Sequence, residues 1–272
     1  RRAASAFSPP PRRSSWQSGG MLAPRPLADV ARELGLDPTH RSYHPHGHDF
    51  AKVDTVAAGP GAHEGKLIVV SAVTPTPLGE GKTVSSISLS MGLNRIGAPS
   101  IVCLRQPSLG PVFGSKGGGA GGGKAQVIPA DAINLGMTGD GHAIGAAHNL
   151  LAAMIDAHLR HGNELRLDPV RLTWPRVSPV NDGSLRKLVV GLGGPLNGVP
   201  RESFFEINEA SEVMAIVALA QLRADLRRRL GAIVLGQDLG GAPVRVEQLG
   251  AAGAMNVLLR DALYPTLTQT SE

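Results

Sequence analysis

The sequence has one cysteine in 272 residues, only 3% aromatics and no long apolar run. The single cysteine, Cys103, excludes an internal disulfide framework and fits a reducing compartment. It sits within Ile101-Val102-Cys103-Leu104, so it reads as a core residue rather than a nucleophile. The longest apolar stretch, residues 213–220, falls far short of the ~20 residues that a membrane-spanning helix needs.

Acidic residues are missing from one end. Residues 1–28 hold five arginines (Arg1, Arg2, Arg12, Arg13 and Arg25) and no acid. Taking those five from the 27 basic residues leaves 22 against 22 acids, so the net charge of +5 belongs to this leader. The rest carries no electrostatic footprint for nucleic acid or an anionic membrane. Residues 1–24, with Pro9-Pro10-Pro11, are too polar and proline-rich to fold and are expected to be disordered. Two readings of them stay open: a mitochondrial transit peptide, or a non-native start ahead of Met21. The body is expected to be cytoplasmic, or mitochondrial if the leader is native.

Residues 25–272 are 18% charged and 42% hydrophobic when taken with the leader, a balance that suits a globular domain. No internal repeat is present. Residues 27–36 have helical apolar spacing, with Gly35 and Pro38 as stop signals. His44, His46 and His48 alternate in a polar stretch that lacks the carboxylates or cysteines to complete a metal shell, so it reads as a surface loop. Residues 66–74 (KLIVVSAVT) are apolar and β-branched, as a buried parallel strand should be. A Pro/Gly loop, a helix over 82–95 and a second strand over 100–104 complete a βαβ unit. Further strands are expected near 188–191 and 232–235, and helices over 143–161, 209–230 and 247–263. This alternation predicts an α/β fold, P-loop NTPase-like, with a mostly parallel sheet flanked by helices.

The clearest chemistry lies at Thr74-Pro75-Thr76-Pro77-Leu78-Gly79-Glu80-Gly81-Lys82-Thr83. A loop leaving a strand and opening a helix turns backbone N–H groups and the helix dipole toward a phosphate. Gly79 and Gly81 permit positive φ and close backbone approach. Lys82 can reach the β- and γ-phosphates of ATP, and the Thr83 hydroxyl can ligate Mg²⁺. The nucleotide-binding set is therefore Thr76, Pro77, Leu78, Gly79, Glu80, Gly81, Lys82 and Thr83. The usual P-loop has glycine where this chain has Thr76. Arg105, just past the second strand, is placed at the sheet edge where open α/β folds bind ligands.

That TPTPLGEGKT loop resembles the nucleotide site of the formate–tetrahydrofolate ligase family. The likeness continues through LRQPSLGP (104–111), GSKGGGAGGGK (114–124), QVIP (126–129) and the blocks Thr138-Gly139-Asp140 and His142-Ala143-Ile144. HGNEL (161–165), NGVPRE (197–202), ASEVMAI (210–216) and LGAAGAM (249–255) carry it further. The resemblance implies ATP-dependent joining of formate to tetrahydrofolate, through formyl phosphate, to give 10-formyltetrahydrofolate. It implies catalytic roles for Lys82 and Arg105, with the Arg105 guanidinium suited to formate or an acyl phosphate. It also implies small-molecule partners and a homotetramer. For the glycine-rich residues 117–123 it favours a platform beside the active site over a linker. Asp140 and His142 stay open between a Mg²⁺-related role and a structural pair.

The chain departs from the family pattern at Gly119, Lys124, Gly136, Gly141 and His148. Lys124 stands where tyrosine is usual and His148 where asparagine is usual. Family members are about twice as long, and the aromatic faces that a pterin needs for stacking belong to their second half. Two readings follow: a fragment of an active ligase, or a diverged module that binds nucleotide alone.

Overall fold

The computed structural model describes residues 24–59, 65–74, 76, 79–105, 109, 119–136 and 138–271. Residues 1–23, Pro77, Leu78 and residues 110–118 lie outside them. The N-terminal part contains α1 (Leu27–Glu33), β1 (Tyr43–His46), β2 (Phe50–Val53), α2 (Thr55–Ala58) and α3 (Lys82–Arg95). The middle follows with β3 (Gly121–Gly122), β4 (Ala125–Ile128), α4 (Ala130–Asn134), α5 (Asp140–Arg160), β5 (Leu167–Leu172) and β6 (Arg176–Ser178). Then come β7 (Leu188–Val190), β8 (Arg201–Ser203), β9 (Phe205–Ile207), α6 (Glu212–Leu219) and α7 (Arg223–Ala232). The chain closes with β10 (Val234–Asp238), β11 (Pro243–Arg245), α8 (Val246–Leu249), α9 (Ala252–Leu258), β12 (Thr266–Leu267) and β13 (Gln269–Thr270).

Helix α5 organises the main core. Ile144, Ala147, Leu151, Ala152, Ile155 and Leu159 recur at helical spacing on one face, and all are buried. They pack with Leu226 and Leu230 of α7, Met255 of α9, Leu235 of β10 and Val244 of β11. A smaller cluster joins Phe50, Ile87, Ala120, Val127 and Ile133. It seats α3 against β4.

The departure at His148 is absorbed into this core. The ring is 1% exposed and stacks on Trp174 with centroids 4.1 Å apart. The Pro175 carbonyl, 3.0 Å from Nε2, can only accept, so Nε2 carries the proton. Nδ1 then accepts from the Ser211 hydroxyl at 2.8 Å, and that oxygen in turn caps α6 by accepting from the Val213 N–H. Burial drives the imidazole pKa down to about 4. The arginine of the NGVPRE block, Arg201, is likewise structural. With Arg176 it encloses Asp156 of α5 at 2.6 and 2.5 Å.

A buried lysine joins the two ends of the fold. Lys52 lies in β2, where all four residues are buried. Its ammonium donates to Asp140 Oδ2 at 2.6 Å and to the Tyr264 carbonyl at 2.9 Å. Thr138 donates to the same carboxylate oxygen at 2.9 Å. Beside this pair β2 takes β1 on one edge and β12 on the other, and β13 pairs with β4.

The α/β class holds, but the mostly parallel, helix-flanked sheet of P-loop type is not formed by the described residues. Of their eight strand pairings, seven are antiparallel and only β6–β9 is parallel. The expected strands at 66–74 and 100–104 pair with no other described strand. Leu67 is 89% and Ile101 67% exposed, and Cys103 is exposed rather than in a core. Apolar pattern creates the demand for burial; the partner that would meet it is not among these residues. The long helix expected over 209–230 breaks at Ala220–Leu222, where the backbone is extended. That over 247–263 breaks at Gly250 in the left-handed region (φ 76°).

Two stability predictions follow from these buried polar groups. Lys52→Met leaves the Asp140 carboxylate buried without its cation and should cost about 3 kcal/mol in urea unfolding; adding Asp140→Asn should restore part of the loss. His148 is neutral when folded, whereas the unfolded chain protonates near the ordinary imidazole value of 6.5. Its depressed pKa therefore contributes nothing above 6.5, and stability falls as pH drops from 6.5 toward 4, by roughly 3 kcal/mol. Unfolding curves for His148→Asn should be flatter across that window; an unchanged slope would refute the assignment.

Candidate functional site

The site begins where the 65–74 run ends. Gly79 donates its N–H to the Thr76 carbonyl at 3.1 Å, closing a turn. Gly79 (φ 88°) and Gly81 (φ 72°) both take left-handed backbone, as expected of this loop. Gly81 is the N-terminal cap of α3 and contributes no side chain. The first backbone bond of the helix is Ser85 N–H to the Gly81 carbonyl, 2.9 Å. The N–H groups of Lys82, Thr83 and Val84 thus have no acceptor among the described residues. Three amides at a positive helix end form a ready anion site. Helix α3 runs 14 residues, over the span the sequence predicted.

An internal anion already approaches this end. The Glu80 carboxylate accepts from both the Lys82 ammonium and the Thr76 N–H, through very short contacts. The Lys82 hydrogen bond, then that of the Thr76 amide, holds the Glu80 pKa down to about 2. Lys82 is half-exposed, so its clasp with Glu80 faces solvent. Such a pair is weak and exchangeable. A polyphosphate, with more charge than one carboxylate, can take over both partners. Thr83 is half-buried, and no described group bonds its hydroxyl. Pro77 and Leu78, the remaining loop residues singled out from the sequence, lie outside the described residues.

The glycine-rich segment lies against the same helix. A Cβ on Gly121 (φ 96°) would sit 2.2 Å from the Ala125 carbonyl oxygen and 2.8 Å from Ile87 Cδ1. Only glycine lets the β3–β4 turn press onto α3 this closely. A side chain at Gly122 would meet Val84 of the first turn. Gly121 and Gly122 thus pack beside the 76–83 loop, as a platform rather than a linker. Lys124 is exposed at its edge, and its carbonyl accepts from the Ser271 hydroxyl at 2.8 Å.

Arg105 is held elsewhere. Its guanidinium donates to the Glu209 carbonyl at 3.2 Å. Next to it, Asn208 donates to the Gly141 carbonyl at 2.9 Å and packs over Gly145. Arg105 is therefore tethered to the 208–210 turn that packs on the start of α5, while Lys82 is anchored on Glu80. For Asp140 the geometry supports the structural alternative, because one oxygen takes both Lys52 and Thr138. Gly136 and His142 adjoin: a Cβ on Gly136 would lie 3.8 Å from His142 Nε2. Sequence reasoning passed over Lys52 and Glu209. The one signal for Lys52 was a cation inside the apolar run Phe50-Ala51-Lys52-Val53. Glu209 acts through its backbone, which no residue pattern advertises.

No helix among the described residues is long and apolar enough to cross a membrane, and they hold no cluster of three metal-ligating side chains. The family model for formate–tetrahydrofolate ligase matches residues 15–272. A formate–tetrahydrofolate ligase of Paracoccus denitrificans is 56% identical over 249 residues, covering 91% of this chain and 44% of that protein. Those of Thermotoga maritima and Methylococcus capsulatus are 52% and 53% identical, with 91% of this chain and 46% and 45% of theirs covered. The chain spans a little under half the length of these curated relatives. At that identity and coverage, the chain belongs to the formate–tetrahydrofolate ligase family.

Proposed function

We propose that this chain is the nucleotide-binding part of an ATP-dependent ligase that joins formate to tetrahydrofolate. The observation that carries this reading is the clasp at α3: Lys82 and the Thr76 amide on the Glu80 carboxylate, below three N–H groups with no acceptor among the described residues. In this reading the phosphates of ATP displace Glu80 from Lys82. The amides of residues 82–84 would take the phosphate oxygens, and the Thr83 hydroxyl would supply one ligand to Mg²⁺. A lone hydroxyl suits Mg²⁺, which keeps several waters and takes its other ligands from substrate phosphates. Arg105 would hold formate in line with the γ-phosphorus. A formate oxygen attacks phosphorus, the bond to the β-phosphate oxygen breaks, and ADP leaves formyl phosphate. The folate N10 then attacks the formyl carbon, phosphate departs and the nitrogen loses its proton. Positioning and charge neutralisation are what the first step requires, and Lys82, Arg105 and the amides are suited to both.

The same reading assigns residues 25–272 to a P-loop-like α/β domain, with 66–74 and 100–104 as parallel strands around α3. Folate recognition falls to the part of the family beyond this chain. A reducing, cytoplasmic compartment fits the single cysteine.

MgATP titration by calorimetry tests the nucleotide claim. Binding should be saturable, and Lys82→Ala should weaken it on the order of 10- to 100-fold, the worth of a charged hydrogen bond. Equal affinity in the two proteins would defeat the assignment of the loop. The chain alone should form no 10-formyltetrahydrofolate, and turnover by it would overturn the division of labour.

A further inference from the structure

Three arginines meet around a cavity that the chemistry proposed above does not use. It holds about 610 Å³ and opens to solvent, with Arg41, Arg223 and Arg260 in its walls beside His44 and Tyr264. That volume lies within the range of small-molecule sites. None of the lining residues belongs to the 76–83 loop, and Arg105 is not among them. Two carboxylates also face the cavity, and both are engaged. Asp261 accepts from the Arg260 guanidinium at 2.9 and 3.2 Å. Asp54 caps α2, accepting from the Val56 and Ala57 N–H groups, both at 3.0 Å. Arg41 and Arg223, in contrast, make no ion pair or side-chain hydrogen bond among the described residues.

One wall of this cavity is held by the buried junction of the fold. The Tyr264 ring stacks on His44 of β1 with centroids 5.8 Å apart, and the Tyr264 carbonyl accepts from Lys52. Arg41 precedes β1, Arg223 opens α7 and Arg260 follows α9, so folding gathers these cations from distant parts of the chain. Three guanidiniums against two carboxylates leave the cavity positive, a repulsion that a bound anion relieves. Each guanidinium presents a planar fork that takes phosphate oxygens in pairs. The space is larger than one carboxylate fills, and the two free forks come from different elements, which suits several phosphate groups joined in a row. We propose that this cavity is a second anion site and takes an oligophosphate, free or as the phosphate chain of a nucleotide, on Arg41 and Arg223. Arg260 supports it, since its exposed pair with Asp261 is weak and can exchange a carboxylate for a phosphate oxygen. The site is independent of what the 76–83 loop binds.

Calorimetric titration with tripolyphosphate tests it, in the full chain carrying Lys82→Ala so that the loop is muted. Saturable binding is expected. Arg41→Gln and Arg223→Gln should each weaken it about 10-fold, the worth of one charge-assisted hydrogen bond. Lysine at either position should recover only part of that loss, because it keeps the charge without the fork. Arg227→Gln removes an equal charge from α7 outside the cavity and should change the affinity by less than about twofold. Arg41 and Arg223 are exposed, so the unliganded melting temperatures of their variants should match the parent's. Tripolyphosphate should raise the parent's melting temperature, and the rise should vanish when both arginines are glutamine. ATP without Mg²⁺ identifies the source: tighter binding than tripolyphosphate marks a nucleotide, and equal or weaker binding a free oligophosphate, the phosphate site standing in either case. The proposal is overturned by an absence of saturable binding, by equal weakening in Arg227→Gln, or by citrate binding as tightly as tripolyphosphate. Tripolyphosphate binding here without MgATP binding at the loop would keep this site and sink the nucleotide reading.

Discussion

The fold depends on finding partners for one buried ammonium. Lys52 sits in a fully buried strand, and a bare charge there would not be tolerated. Its bonds to Asp140 and the Tyr264 carbonyl decide where three distant parts of the chain meet. Asp140 opens α5, so the long core helix starts where β2 fixes it. Tyr264 precedes β12, so the C-terminal strands return to the N-terminal sheet. From this junction α5 carries its apolar face through the main core, and Asn208 and Glu209 pack on its first turn. Arg105 then reaches the Glu209 carbonyl. A contact made for stability therefore also places a residue proposed for chemistry.

The other side of the molecule is governed by what has not been paired. Around α3 the polar groups are provisional: Glu80 occupies Lys82, and the first amides of the helix meet no acceptor among the described residues. The apolar groups are provisional too, because Leu67, Val69 and Ile101 meet solvent. The two conditions belong together physically. A phosphate site needs loosely held partners that an incoming anion can take over, and a rigid strand behind the loop to hold its amides in place. The loop already has its left-handed glycines and its close-packed β3–β4 platform. The apolar run behind it, residues 66–74, pairs with no described strand.

Much of this was legible in the sequence where the physics is local. The span of α3, the positive φ of Gly79 and Gly81 and the long helix α5 follow from periodicity, cap residues and turn chemistry. The apolar runs at 66–74 and 100–104 were readable as strands in need of burial, but a pattern states a demand and does not say which residues meet it. Cys103 fails as a core residue for the same reason. The helix breaks at Ala220–Leu222 and Gly250 were hidden because tertiary packing redirected continuous helical spacing. The Lys52–Asp140 pair spans 88 residues, and no local rule joins them. At His148, histidine and asparagine differ little on paper; in the core, the ring stacks on Trp174 and bonds through both nitrogens.

The central claim is that the amides opening α3 receive the phosphates of a nucleotide. Amide hydrogen exchange of the intact chain, with and without MgATP, tests it most directly. The account predicts slowed exchange concentrated at Gly79, Gly81, Lys82, Thr83 and Val84, and a loss of that slowing in Lys82→Ala. Unchanged exchange at these five amides under saturating MgATP, or protection confined to another part of the chain, would contradict it.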